Sequence, residues 1–184
     1  MPLFVKNKIV FIHIPKTAGS SIEQIYRDLE DDILFFSSTD FINGHSPQHS
    51  TYLELKKWNM IPSDFRIISV IRNPYERFIS EFNYQKGHLG RDYLNLELFT
   101  KSFFNPDNRY DWDNHQLSCS EFLRSSNAEI IRFENLHEDF ERLTGLKMNQ
   151  HILKSKTELK FEDLDAKYKR IIEEFWKEDF SSYY

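Results

Sequence analysis

The sequence predicts an α/β fold, a single domain with a central parallel sheet flanked by helices, on three observations. Short β-branched apolar runs alternate with segments of helical periodicity. Two of those runs, ending at Ile14 and Ile71, pass through a short turn directly into a helix. No internal repeat, low-complexity tract or Gly/Ser linker divides the 184 residues, so 1–184 reads as one domain.

Taken in order, Lys8 to Ile14 (KIVFIHI) has the continuous apolar character of a buried parallel strand. Ser20-x-x-Glu23 reads as a capping box opening the first helix, and ILFF at 33–36 as a second strand. After a polar loop through Asn43-Gly44-His45, Thr51-x-x-Glu54 predicts a helix to about Trp58. RIISVI at 66–71 is the third strand. Asn73 can cap the next helix and Pro74 suits its first position, with Tyr75, Phe78, Ile79 and Phe82 at helical spacing. Residues 96–104 and 115–124 read as helices around the loop NPDNRYDWDN, and AEIIRF at 128–133 as the fourth strand. Leu136, Phe140 and Leu143 mark a helix that Gly145 can stop, and Tyr168, Ile171, Ile172, Phe175 and Trp176 form one stripe of a last helix.

Composition narrows the function classes. Lys+Arg 24 against Asp+Glu 29 gives a net charge of −5, which disfavours nucleic-acid binding by bulk charge. A single cysteine, Cys119, excludes an intramolecular disulfide framework and a cysteine-based zinc cluster. No apolar run has the length of a membrane span or a signal segment, and no N-x-[ST] acceptor occurs, so a cytoplasmic setting is expected.

The two strand-to-helix turns carry the chemistry. In Pro15-Lys16-Thr17-Ala18-Gly19-Ser20-Ser21 the helix start offers backbone N–H groups, three hydroxyls and one ammonium to a phosphate-like group. Lysine precedes the glycine, so this is not the G-x-x-x-x-G-K-[ST] nucleotide loop. The second turn has Arg72 at a strand end with Arg77 and Ser80 beyond it, a guanidinium and a hydroxyl suited to a second phosphate. The strands at 66–71 and 128–133 end in arginines, Arg72 and Arg132, rather than the carboxylate that magnesium-dependent phosphoryl transfer uses. A ligand with two separated phosphate-like groups fits, and no metal is expected.

HIPKTAGSS and VIRNPYERFISEF resemble the 5′-phosphosulfate loop and 3′-phosphate motif of sulfotransferases that use 3′-phosphoadenosine 5′-phosphosulfate, nearest to the heparan-sulfate 2-O type and bacterial relatives. Asn43-Gly44-His45, Asp113-Asn114-His115-Gln116, Arg132 to Leu136 and the closing FWKEDFSSYY are weaker matches. The resemblance implies a P-loop-like sulfotransferase fold. It implies that Lys16 contacts the oxygen bridging to the leaving 5′-phosphate, while Thr17, Ala18, Gly19, Ser20 and Ser21 hold the phosphosulfate and Arg72 and Ser80 bind the 3′-phosphate. The product is 3′-phosphoadenosine 5′-phosphate, and the acceptor a hydroxyl, expected on a glycan.

Histidine is the side chain suited to take the acceptor's proton near neutral pH. His45 is the candidate, since the resembling glycan sulfotransferases place a Gly-His base there; Asn43 stands where the 2-O members often have a second histidine. His115 is the reserve, and His13 reads as ordering the first loop. Tyr110 and Trp112 are candidate sugar platforms, Phe103 and Phe104 read as core, and Arg91, Lys101 and Arg109 are candidate partners of an anionic glycan. Two other classes stay open: a nucleotide or small-molecule kinase, and a nucleotide-binding module without turnover.

Overall fold

The computed structural model describes residues 2–35, 44–91, 95–105, 107, 113–148 and 159–184. Leu3–Phe4 (β1) is too short a strand to show a periodicity in sequence. Phe4 is fully buried, and its ring stacks on Tyr26 at a centroid distance of 3.8 Å. Ile9–Ile12 (β2), every residue buried, leads into helix Gly19–Asp28 (α1); strand Ile33–Leu34 (β3) and helix Tyr52–Lys57 (α2) come next. Arg66–Ile71 (β4) leads into Pro74–Asn83 (α3), which is followed by Leu96–Phe103 (α4) and Cys119–Leu123 (α5). Glu129–Arg132 (β5) leads into Leu136–Thr144 (α6), and Ala166–Phe175 (α7) and Lys177–Tyr183 (α8) close the fold.

The five strands lie in the order β3-β1-β2-β4-β5. β2, β4 and β5 run parallel, but β1 is antiparallel to both β2 and β3. The sheet is therefore mixed, which corrects the expectation of a parallel one. The cause is local: β1 and β2 are joined by the turn Val5 to Lys8, closed by Lys8 N–H donating to the Val5 carbonyl at 3.2 Å with Lys8 at φ 54°, and a parallel pair needs a far longer crossover. Only two residues of the strand expected at 33–36 pair with β1, at the edge of the sheet, and residue 36 lies outside the described residues.

β2 and β4 are buried on both faces, as their unbroken apolar runs require, while β5 at the sheet edge buries Ile131 alone. Val10, Ile12, Ile67 and Ile71 pack with Leu55 of α2 and Phe122 of α5. Ile9, Phe11, Ile68 and Val70 pack on the other face with Ile22 and Tyr26 of α1 and Phe140 of α6. A third cluster joins Phe78 and Phe82 of α3, Phe99 and Phe103 of α4, and Ile172 and Trp176 from the C-terminal helices. Each such side chain contributes roughly 1.5 to 3 kcal/mol by burial. Phe104 stacks on Phe78 at 5.5 Å, so both phenylalanines belong to the core as the sequence indicates.

Three caps form as expected. Thr51 and Glu54 make their reciprocal box, the Asn73 side chain accepts from the amides of Tyr75 and Glu76, and Gly145 ends α6 at φ 73°. The box expected at Ser20 and Glu23 does not form. Ala18, in a left-handed conformation, caps α1, because the Glu23 carboxylate turns inward to the buried His13 and Gln48. The helix expected over 115–124 starts only at Cys119, capped by a Ser118–Glu121 box. The carbonyls of His115 and Leu117 are instead taken by Arg77.

Candidate active site

The β2–α1 turn is shaped to receive an anion. Lys16 at φ 67° and Ala18 at φ 72° flank Thr17, so the backbone turns sharply on both sides of it. The amides of Lys16 to Ser20 have no acceptor among the described residues, and they sit at the positive end of α1. Thr17 is fully buried, and its hydroxyl donates to the Ile14 carbonyl at 2.8 Å, which braces the turn. Ser20 is half-buried with no hydroxyl partner among the described residues, whereas Ser21 is buried on the core side. Gly19 answers to His13: a Cβ there would lie 2.2 Å from the His13 Nε2 atom.

Because β2 and β4 are neighbours, the second turn falls beside the first. Arg72 donates from Nη1 to the Lys16 carbonyl at 3.2 Å and lies over the Phe133 ring, while Nη2 is 3.5 Å from Glu76. Its Nε is buried without a partner. A buried guanidinium N–H left open next to a row of open amides is a donor set lacking its acceptor. Ser80 is half-buried on α3, its hydroxyl without a partner among the described residues.

The donors of Arg77 are turned to the protein's own backbone. The residue is 1% exposed, donates to the carbonyls of Pro15, Leu117 and His115 at 3.0, 2.7 and 2.9 Å, and lies over the Trp176 ring. It rivets the first turn to α3 and the C-terminal helices, a role that an arginine four residues into a surface-type helix does not reveal in sequence. Arg132 likewise fastens the C-terminus through the Tyr183 carbonyl at 2.8 Å.

Lys16 lies with Nζ 3.6 Å from the centroid of Tyr84, which sits in a single π turn, Tyr84–His88, at the end of α3. Burial brings its pKa from 10.5 down to about 8; the Glu81 charge works against the shift and the Arg72 charge with it. Glu81 is buried on α3 and accepts from His115 Nδ1 at 2.8 Å. Burial would raise its pKa, but the His115 interaction and Lys16 outweigh that and bring it to about 2.

His45 is 2% exposed, with Nδ1 at 2.9 Å from the Ser46 carbonyl and Nε2 at 2.9 Å from Glu54 Oε1. Burial lowers its pKa, but the bonds to Glu54 and Ser46 prevail and raise it. The same Glu54 caps α2 through its other oxygen, so the helix start and His45 are one unit. Beside it, His13, His49 and His115 stack edge to face with centroids 4.9 and 5.0 Å apart. Sequence spacing gives no hint of this row, since the rings come from the β2 end, the segment before α2 and the turn before α5. Lys101 is exposed; Asn43, Arg109, Tyr110, Trp112 and His151 lie outside the described residues.

No helix among the described residues is long and apolar enough to cross a membrane. Neither the curated proteins nor the solved structures contain a match to this chain. The family model described as the sulfotransferase family matches residues 3–142, a span that runs from β1 into α6 and holds both anion turns and the histidine row. The chain belongs to the sulfotransferase family.

Proposed function

We propose that this protein, as a single sulfotransferase domain with a P-loop-like fold, transfers a sulfuryl group from 3′-phosphoadenosine 5′-phosphosulfate to a carbohydrate hydroxyl in a cytoplasmic setting. The observation that carries the reading is the joining of the two turns. The open amides of Lys16 to Ser20 and the unpartnered Nε of Arg72 come together where Arg72 bonds the Lys16 carbonyl, and the Lys16 ammonium rests on the Tyr84 ring at the end of α3. Two anionic groups of one nucleotide suit this cradle, the phosphosulfate on Thr17 to Ser21 and the 3′-phosphate on Arg72 and Ser80.

In the proposed reaction the acceptor oxygen attacks sulfur in line as the bond from sulfur to the 5′-phosphate oxygen breaks. Negative charge builds on that leaving oxygen, and Lys16, free to leave the Tyr84 face, stabilises it most strongly in the transition state. The acceptor's proton goes to His45. The base is the neutral imidazole: Nδ1–H donates to the Ser46 carbonyl and the Nε2 lone pair takes the proton, so Nε2 must first have lost any proton of its own to solvent and Glu54, half-buried, must rotate off it as the acceptor arrives. His115 is a second candidate, favoured by the Glu81 carboxylate that fixes its Nδ1. Transfer of labelled sulfate to a panel of glycans tests the reaction. His45→Ala should bind adenosine 3′,5′-bisphosphate like wild type and lose about a hundred- to ten-thousandfold in transfer. Full activity in that variant, with loss in His115→Ala, moves the base to His115.

A further inference from the structure

His49, Asp113 and His115 bring one ligand atom each to within 4.8 Å of one another. His49 Nε2 and the Asp113 carboxylate are 3.7 Å apart. We propose that these three side chains form a binding site for a first-row divalent metal ion, with Zn²⁺ the best-suited, next to the buried Glu81 that holds His115.

The arrangement around the three groups is what distinguishes them from a chance cluster. A metal-binding imidazole uses one nitrogen for the ion and fixes the other by donating its N–H to a carboxylate or a backbone carbonyl. His115 Nδ1 is held by the buried Glu81 at 2.8 Å, and His49 Nδ1 by the His13 carbonyl at 3.3 Å, so each ring keeps Nε2 for coordination. The Asp113 oxygens accept from the Ser46 amide and hydroxyl, which orients the carboxylate. Bonds of about 2.0 to 2.2 Å put ligand atoms of a tetrahedral Zn²⁺ site about 3.3 Å apart, so the three side chains close in by up to about 1.5 Å from the observed spread of 4.8 Å when an ion binds. Three protein ligands leave a coordination position open, and side-chain exposures of 23% for Asp113 and 12% for His115 leave an approach to it.

This runs against the expectation of a metal-free protein, which was based on the two anion turns and not on this row. An ion here commits His115 to coordination and leaves the acceptor proton to His45. The site itself does not depend on the donor nucleotide, so its test uses neither nucleotide nor transfer.

Tag-free full-length protein stripped with a chelator is titrated with Zn²⁺ by calorimetry. One saturable site per chain is expected, weakened at least tenfold by Asp113→Asn and by His115→Gln, and about ten- to a hundredfold by Glu81→Gln, which leaves all three ligands in place. Circular dichroism checks that each variant is folded. Should the variants unfold, Co²⁺ added to wild type decides: visible absorption of a low-coordinate, nitrogen-ligated ion supports the site. An absent Co²⁺ band, no saturable Zn²⁺ binding, or binding indifferent to all three substitutions overturns the proposal.

Discussion

Lys16 is a half-buried ammonium whose desolvation brings its pKa from 10.5 down to about 8. Its charged form is therefore less favourable in the folded than in the unfolded chain. Between about pH 8 and 10.5 the unfolded chain holds the extra proton, so the ligand-free protein gains stability as pH rises through that window. A bound phosphate-like dianion reverses the shift by favouring the ammonium. Affinity for adenosine 3′,5′-bisphosphate should accordingly fall by up to about tenfold per pH unit above pH 8. Calorimetry in buffers of different ionisation heat should find proton uptake near zero at about pH 6.5, rising toward one by about pH 9. Uptake that stays at zero across this range would place the anion away from Lys16. Lys16→Ala should lose on the order of a hundred- to a thousandfold in turnover and far less in donor affinity.

At the scale of elements, the β2–α1 turn and α3 make the site together. Asn73 and Pro74 set the start of α3 as the sequence indicates, and Arg77 and Glu81, spaced one turn apart, then reach Pro15 and His115. The signals with a fixed local period were legible in part: the Thr51–Glu54 capping box, the proline at the start of α3 and the strand-turn-helix pattern at both anion turns. What stayed hidden depends on partners distant in sequence. Glu23 reads as a cap because Ser20 precedes it by three, but a buried imidazole 10 residues upstream holds its carboxylate. Gly19 reads as a loop glycine of the anion turn, while its lack of a side chain serves the close approach of His13. Gly19→Ala should thus displace the His13 ring and with it the Glu23 and Gln48 bonds. A loss of roughly 1 to 3 kcal/mol is expected, read as a drop of several degrees in the thermal midpoint. An unchanged midpoint would mean that the ring yields freely.

Over the whole molecule, the sheet explains why two turns 56 residues apart in sequence act as one site. Parallel pairing of β2 with β4 places their carboxyl ends side by side, where ligands of α/β sheets bind. That much follows from the alternation of strands and helices. The antiparallel β1 does not, because a two-residue strand carries no periodicity and its pairing is decided by the tight turn at Val5 to Lys8. The row of histidines was equally out of reach, since it exists only once β2, the segment before α2 and the turn before α5 are packed together. The central claim, that the joined turns hold both phosphate groups of one nucleotide, is tested most directly by calorimetric titration of adenosine 3′,5′-bisphosphate into wild type and Arg72→Ala. The account predicts one site per chain without added metal, weakened by about ten- to a hundredfold in the variant, the worth of one lost charge-assisted bond. Equal affinity in the two proteins, or binding of ATP with magnesium in preference to the bisphosphate, would contradict it.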